Sequence, residues 1–408
     1  MQPPLSPPPP DLHPTLGASL SGTNLERAGD HNQRVMLQAI RVSGPLTRAD
    51  LGRLTGLTPP AIANITRRLL NDGLILEVGR MQGTRGQPAM RLAINPDGCF
   101  AIGVNVDRDN VTLVVLDLLG QVRHRAVLEA CFPLPEAVSA FFTAQMDALT
   151  RTQAFPLSRI IGIGVALPDD LGRVNLPNRP KSFEAWSTTD IAGLFTAVTP
   201  LPVFVENDAA AAALGELQFG YGLRDPSFFY VLINQGLGGG MVIDGHYFRG
   251  AQGRSGELGF LPIVSPRTQA RTLEEAVSLS ALFAFLAARG SIVTRPEQLL
   301  ELDDIGQQLL ADWLDLAAEL LTTPIVAVSC LVNPEAVFFG GRLPAPLIDR
   351  LAAMINDRLR AHSGVIPVIV PVHRAATATD APAVGAALLP FNDRLLPSRT
   401  TLMKTAAE

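Results

Sequence analysis

Cysteine is nearly absent: Cys99, Cys131 and Cys330 are the three in 408 residues, far apart and without a Cys-x-x-Cys pair. So sparse and odd a set excludes a disulfide scaffold and fits a reducing cytoplasm. The six histidines are equally scattered, with no His-x-x-x-His spacing and no Cys/His cluster, so the sequence offers no compact local metal site. Lysine occurs twice, at Lys181 and Lys404, which leaves the positive charge to arginine. No uninterrupted apolar run is long enough to span a bilayer. The first 30 residues hold no lysine or arginine before Arg27 and no apolar h-region, so they do not read as a signal peptide. With Pro3, Pro4 and Pro7 to Pro10 they read as a disordered, polyproline-biased tail over 1–30.

What is present is an ordinary globular composition, 47% hydrophobic and 17% charged, which excludes a fibrous or wholly disordered chain. At roughly 150 residues per domain the length implies two to three domains. The net charge of −5 excludes steering of an anionic partner by the whole molecule. It does not exclude a local basic block, and residues 31–94 form one, with nine arginines against Asp50, Asp72 and Glu77.

Within that block Val35, Met36, Ala39, Ile40 and Val42 recur at helical spacing, and Gly44-Pro45 stops the helix. Thr47 caps a second helix, Arg48 to Thr55, with Leu51 and Leu54 inward. After the turn at Gly56-Leu57, Thr58 is an N-cap and a third helix runs from Pro60 to Asn71, its inner stripe Ile62, Ile65 and Leu69. Leu74–Leu76 and Met90–Ile94 flank a glycine-bearing loop and read as a hairpin. Three short helices followed by a hairpin make a winged helix-turn-helix. The outward face of the third helix carries Pro60, Ala63, Asn64, Arg67 and Asn71. Asn64 and Arg67 suit base edges in the major groove, while Thr58 and Arg68 suit phosphate. Arg85 at the hairpin tip would reach the minor groove or backbone. Solvated surface is the alternative for these arginines.

Beyond Asn95 the grammar is α/β. Ala101–Val106, Val111–Leu116, Ile160–Leu167, Pro202–Glu206, Phe228–Ile233, Gly240–Ile243 and Ala336–Phe339 read as strands. Helices are expected around Val138–Met146, at Ala209–Leu217, Asp304–Val328 and Gly385–Leu389. A strand pair, helix, strand and glycine turn, then the same again, implies two related lobes with a cleft between them.

Four stretches in order carry a resemblance: Glu206-Asn207-Asp208-Ala209, Gly253-x-x-Gly256-Glu257-Leu258-Gly259, Leu273-Glu274, and Asn333-Pro334-Glu335 with Gly340-Gly341. From Asn32 to about Phe391 the chain resembles transcriptional regulators of the ROK family, of the xylose and N-acetylglucosamine repressor type. The resemblance implies a winged helix joined to a two-lobed, actin-like ATPase (ribonuclease H-like) sugar-kinase core. The expected division is a tail over 1–30, the DNA-binding domain over 31–94, a first lobe over 97–206 with 380–395, and a second lobe over 207–379.

Three departures from the family pattern stand out. Its kinases carry an Asp-x-Gly-Gly-Thr phosphate loop where this chain has Asn105-Val106-Asp107-Arg108-Asp109. Carboxylates there repel a nucleotide tail, so no ATP and no catalytic residue are expected. The second loop, Asn234 to Gly240, is also altered, and its glycines can be purely structural. The family's zinc-binding cysteines are missing between Ser265 and Thr272, and Phe260 stands where a histidine is usual, so no zinc is expected.

By resemblance, Asn178, Asn207, Asp208, Glu257 and Glu274 would hydrogen-bond a sugar, whose vicinal hydroxyls carboxylates and amides suit. Each has a plainer alternative. Asn207 or Asp208 could simply cap the Ala-rich helix, Glu257 could be solvated, Glu275 could replace Glu274, and Asn178 could satisfy its own turn. The implied protein is a cytoplasmic repressor that binds operator DNA as a homodimer or dimer of dimers, senses a carbohydrate, and touches no membrane. The alternatives are a sugar kinase with an attached DNA-binding domain and a regulator whose core only dimerises.

Overall fold

The computed structural model describes residues 25–81, 89–173, 179–361, 364, 368–377 and 380–397. Its residues group into two compact units, one up to Gly98 together with those from Phe391 onward, the other Cys99–Pro390.

The smaller unit holds α1 (Leu25–Ser43), β1 (Leu46–Thr47), α2 (Arg48–Thr55), α3 (Pro59–Asn71), β2 (Ile75–Met81) and β3 (Ala89–Ile94). β1, β3 and β2 form an antiparallel sheet in that order. α1 begins inside the stretch expected to be tail, because Leu25 onward holds no proline to block it. Its buried residues are Met36, Leu37 and Ile40, whereas Val42 is half exposed. Thr47 and Asp50 cap α2 reciprocally, and Gly56 ends it in the left-handed region at φ 70°. Leu51 is buried but Leu54, expected inward, is 58% exposed, since three residues carry it a short way off the inner face of so short a helix. α3 buries Ile62, Ile65, Thr66 and Leu69. Thr58 precedes it as N-cap without a side-chain hydrogen bond, and Pro59 occupies the first turn, where a missing N–H costs nothing.

In the larger unit, β4 (Phe100–Val106), β5 (Asn110–Asp117), β6 (Val122–Glu129), α4 (Pro135–Thr152), β7 (Ile160–Leu167), α5 (Ile191–Thr196) and β8 (Val203–Asn207) build one lobe. After them come α6 (Asp208–Phe219), β9 (Phe228–Ile233), β10 (Leu237–Ile243), β11 (His246–Tyr247), α7 (Leu273–Ala276), α8 (Leu279–Ala287) and α9 (Asp304–Leu331). β12 (Ala336–Gly341), α10 (Ala345–Arg360), β13 (Val372–Arg374) and α11 (Ala381–Arg394) complete the order. The two sheets run β6-β5-β4-β7-β8 and β11-β10-β9-β12-β13, so each lobe repeats one topology, with its last three strands parallel. β9 is buried along its whole length and is an unbroken run of apolar and aromatic residues, while β4 and β5 are equally buried although Asn105, Asn110, Thr112 and Asp117 interrupt them. In such sheets the loops at the carboxyl ends of the parallel strands face the ligand.

α9 is, among the described residues, the one helix long and apolar enough to cross a membrane. Asp312, Asp315 and Glu319 interrupt it, and half of its most apolar stretch is buried within the lobe. There Trp313 donates to the Ala276 carbonyl at 3.1 Å. It packs as a core helix.

Candidate functional site

Strand ends deliver the polar residues. β8 runs directly into α6, where Asn207 Oδ1 accepts from the N–H of Ala209 (2.9 Å) and Ala210 (3.1 Å). Asn207 is thus the helix cap, and its amide nitrogen remains for other partners. Asp208 Oδ1 accepts from the Ala209 N–H at 2.8 Å. Glu274, on α7, accepts from the Leu237 N–H at 2.9 Å. Its neighbour Glu275 turns back into a capping box with Thr272, so Glu274 is the one at the cavity. Glu257 accepts from Arg254 Nε at 2.9 Å.

These four side chains, from three separate stretches, line one cavity of about 50 Å³ with Arg108, Asp169, Arg254 and Phe260. Asn178 lies outside the described residues. Arg254 closes one side: its Nη1 donates to Asp170 Oδ2 at 2.9 Å and its Nε lies 3.7 Å from Asp169 Oδ2. Beyond it opens a hollow of about 580 Å³ lined by Trp186, Glu206, Asn207 and Gln252 among others. On the far side of the β4–β5 turn, Arg342 reaches across to Asp109 (2.5 Å) and Glu129 (3.1 Å), and Gln235 Nε2 to Asp109 Oδ2 (2.9 Å). The Arg254–Asp170 pair is partly exposed and worth about 0–1 kcal/mol, whereas Arg342–Asp109 is largely buried, where removing one partner costs more.

Arg254 and Arg342 escaped the sequence reading. Arg254 sits at a variable position inside Gly253-x-x-Gly256, where the flanking glycines were the available signal.

Burial dominates the electrostatics. It pushes the Asp208 carboxyl up to about 7, with the charge of Asp107 adding to the effect and Arg108 opposing it. Asp107 is raised too, first by burial and then by Asp109. Burial also raises Glu257, against the hydrogen bond from Arg254.

The β4–β5 turn is filled by its own side chains. The Asp107 N–H donates to the Asn110 carbonyl (2.9 Å) and the Arg108 N–H to Asp107 Oδ1 (2.7 Å), so these donors are already spent. Such a turn does not fit a polyphosphate, which needs free N–H groups. Zinc does not fit either. Residues 265–272 supply no thiolate or imidazole, Phe260 is 61% exposed, and among the described residues no three His, Cys, Asp or Glu are grouped to hold a metal.

In the smaller unit Thr58, Pro60, Ala63, Asn64, Arg67, Arg68 and Asn71 are all exposed. Arg67 Nη2 donates to Asn64 Oδ1 at 2.7 Å, which sets the two side by side on one face of α3. Arg85 lies outside the described residues.

The chain is similar to the DNA-binding transcriptional dual regulator NagC of Escherichia coli, 25% identical over 389 residues that cover 87% of this chain and 92% of that one. It is 29% identical over 242 residues to the xylose repressor of Bacillus subtilis, covering 57% of this chain and 60% of the repressor. Among solved structures, a ROK family transcriptional regulator homologous to the E. coli MLC protein superimposes with a TM-score of 0.67 at 24% identity, covering 89% of this chain and 96% of that one. The ROK hexokinase of Thermus thermophilus superimposes with a TM-score of 0.50 at 24% identity, over 71% and 97%. The shared fold is the two-lobed, actin-like sugar-kinase core. The ROK family model matches residues 101–392, which takes in both sheets and every residue of the cavity, and the chain belongs to the ROK family.

Proposed function

We propose that the chain is a DNA-binding transcriptional repressor whose sugar-kinase-like core senses a carbohydrate and transfers no phosphate. Similarity to the xylose and N-acetylglucosamine repressors supports this reading. The observation that carries it is the outer face of α3, where exposed Asn64 and Arg67 stand together, in a unit of three helices and a three-stranded sheet that we read as a winged helix-turn-helix. Asn suits adenine and Arg suits guanine O6 and N7 in the major groove. Two such helices on a palindromic site require a homodimer or a dimer of dimers.

Asn207, Asp208, Glu257 and Glu274 are the sugar contacts in this reading, with Asn178 as a fifth. Ligand would change the lobe closure tied by Arg254 and Arg342. It regulates only by binding one state more tightly than the other.

The test is a titration of the purified chain with a duplex selected from a random pool and with its scrambled counterpart. Arg67→Ala is expected to cost about 1–3 kcal/mol on the selected duplex and relax preference at one base pair per half-site. Binding to the scrambled duplex should hold. Equal weakening on both duplexes would remove α3 from the groove. In parallel, ATP turnover with a panel of hexoses and pentoses should give no sugar-dependent ADP. ADP release abolished by Asp208→Asn would make the chain a kinase.

A further inference from the structure

Arg108 is the anomaly of the cavity. It sits on the β4–β5 turn, 7% exposed, and none of its side-chain nitrogens has a protein acceptor among the described residues. Its Nε is buried without a partner, and the outer edge of its guanidinium forms part of the cavity wall beside Asp208 and Glu274. Buried arginines are ordinarily paired, because an unpaired charge loses its hydration and receives nothing in return.

The surroundings crowd this cation without hydrogen-bonding its Nε, although its charge is felt by Asp107 and Asp208. A Cβ at Gly236 would lie 2.4 Å from Arg108 Nη1 and 2.6 Å from Glu274 Oε2, so only glycine leaves room for both groups. Glu274 holds the Leu237 N–H, Glu257 holds Arg254 and Asp208 accepts from the Ala209 N–H, while Asp107 Oδ2 and Asp109 Oδ1 on the same turn are, like Arg108 Nε, buried without a hydrogen-bond partner. None of them lies within ion-pair distance of the guanidinium among the described residues. Burial raises both Asp107 and Asp208 above the usual carboxylate range, and Arg108 opposes the rise in each.

We propose that the ligand of this cavity is an acidic sugar, whose hydroxyls meet Asn207, Asp208 and Glu257 and whose carboxylate or phosphate pairs with Arg108. A guanidinium fork receives either group through two parallel N–H donors. The inference rests on the reading of the cavity as the carbohydrate site, and it makes Arg108 the residue that selects charged over neutral sugars.

The experiment is calorimetry on the full chain with matched sets: glucose and galactose, their uronates, and their 6-phosphates. Inorganic phosphate and acetate serve as controls. One acid is expected to bind at least about ten-fold more tightly than its neutral parent, and the uronate and phosphate arms tell which anion is meant. Arg108→Gln should erase that preference, read as the ratio of acid to neutral affinity within the variant, with Arg108→Lys in between. The comparison on the unmutated chain stands even if Arg108→Gln fails to fold. Neutral sugars binding as tightly as their acids would overturn the proposal and leave the carbohydrate site standing. Preference surviving in a folded Arg108→Gln would overturn it too. Binding of no member of the panel would remove the carbohydrate reading with it.

Discussion

Asp208→Asn is expected to make the protein more stable at pH 8 and to change little at pH 4. The carboxyl is 8% exposed, and burial raises it from 3.8 to about 7 in the folded chain. For a raised carboxyl, its contribution to stability is fully present below the unfolded value and is lost as pH rises through the folded one. The window therefore runs from about 4 to about 7. Some three units at 1.36 kcal/mol each give a penalty on the order of 4 kcal/mol at pH 8, the ceiling for an isolated group. Asparagine cannot ionise and keeps an oxygen for the Ala209 N–H, so it escapes the penalty without forfeiting that bond. Relief of Asp107, the next cause of the shift, acts in the same direction. Urea unfolding of both proteins at half-unit steps from pH 4 to pH 8 measures it. A gap that does not change with pH would mean that Asp208 is solvated, not buried.

That cost bears on function. Under the proposed function, a buried carboxylate whose ionised form is disfavoured, where asparagine could accept the same N–H, is accounted for by a ligand. The cap-only alternative for Asn207-Asp208 is half satisfied by the geometry, because Asn207 alone already supplies two bonds to the first turn of α6. Asp208 is the residue that capping leaves in surplus.

The strands buried on both faces were legible because nothing competes with their apolar runs. Ile160–Leu167 and Phe228–Ile233 have the ends the sequence implied. β6 was not, since Val122–Glu129 is an edge strand with Arg123, His124 and Arg125 along it and carries no apolar signature. α10 also escaped the reading of the chain's elements, although it buries Leu347, Ile348, Leu351 and Ile355 at helical spacing. In the site, the family resemblance marked Asn207, Asp208, Glu257 and Glu274 as candidates for sugar hydroxyls. The lone state of Arg108 had no such mark, because whether a charge is paired depends on which distant loops fold against it. The same holds for Arg254, whose acidic partners Asp169 and Asp170 lie 84 residues and more away in sequence.

Gly385→Ala should destabilise the protein strongly, although helix propensity alone argues the reverse. Alanine is about 1 kcal/mol better than glycine inside an exposed helix. At Gly385, in the middle of α11, a Cβ would stand 1.6 Å from the Ala211 carbonyl oxygen of α6 and 2.3 Å from its carbon. Backbone cannot swing aside as a long side chain can, so the two helices must part or bend. They are also fixed from behind. Cβ atoms at Gly103 of β4 and Gly164 of β7 would meet the carbonyls of Ala383 and Ala386 at 1.9 and 1.8 Å, and Ala166, Ala211 and Ala386 pack together at the crossing. Three close approaches of backbone to backbone leave no direction in which α11 can yield. The loss should exceed the roughly 1–3 kcal/mol usual for an overpacked core. Gly29→Ala in α1, where nothing lies within 4 Å, is the matched control and should gain up to about 1 kcal/mol. Thermal unfolding of the two variants reads opposite signs if the crossing is as close as described. A neutral or stabilising Gly385→Ala would mean that α6 and α11 have slack between them. The lobes would then pivot on a looser joint than three glycines imply, and ligand closure on one side of the cleft could no longer be passed through a rigid pair of helices.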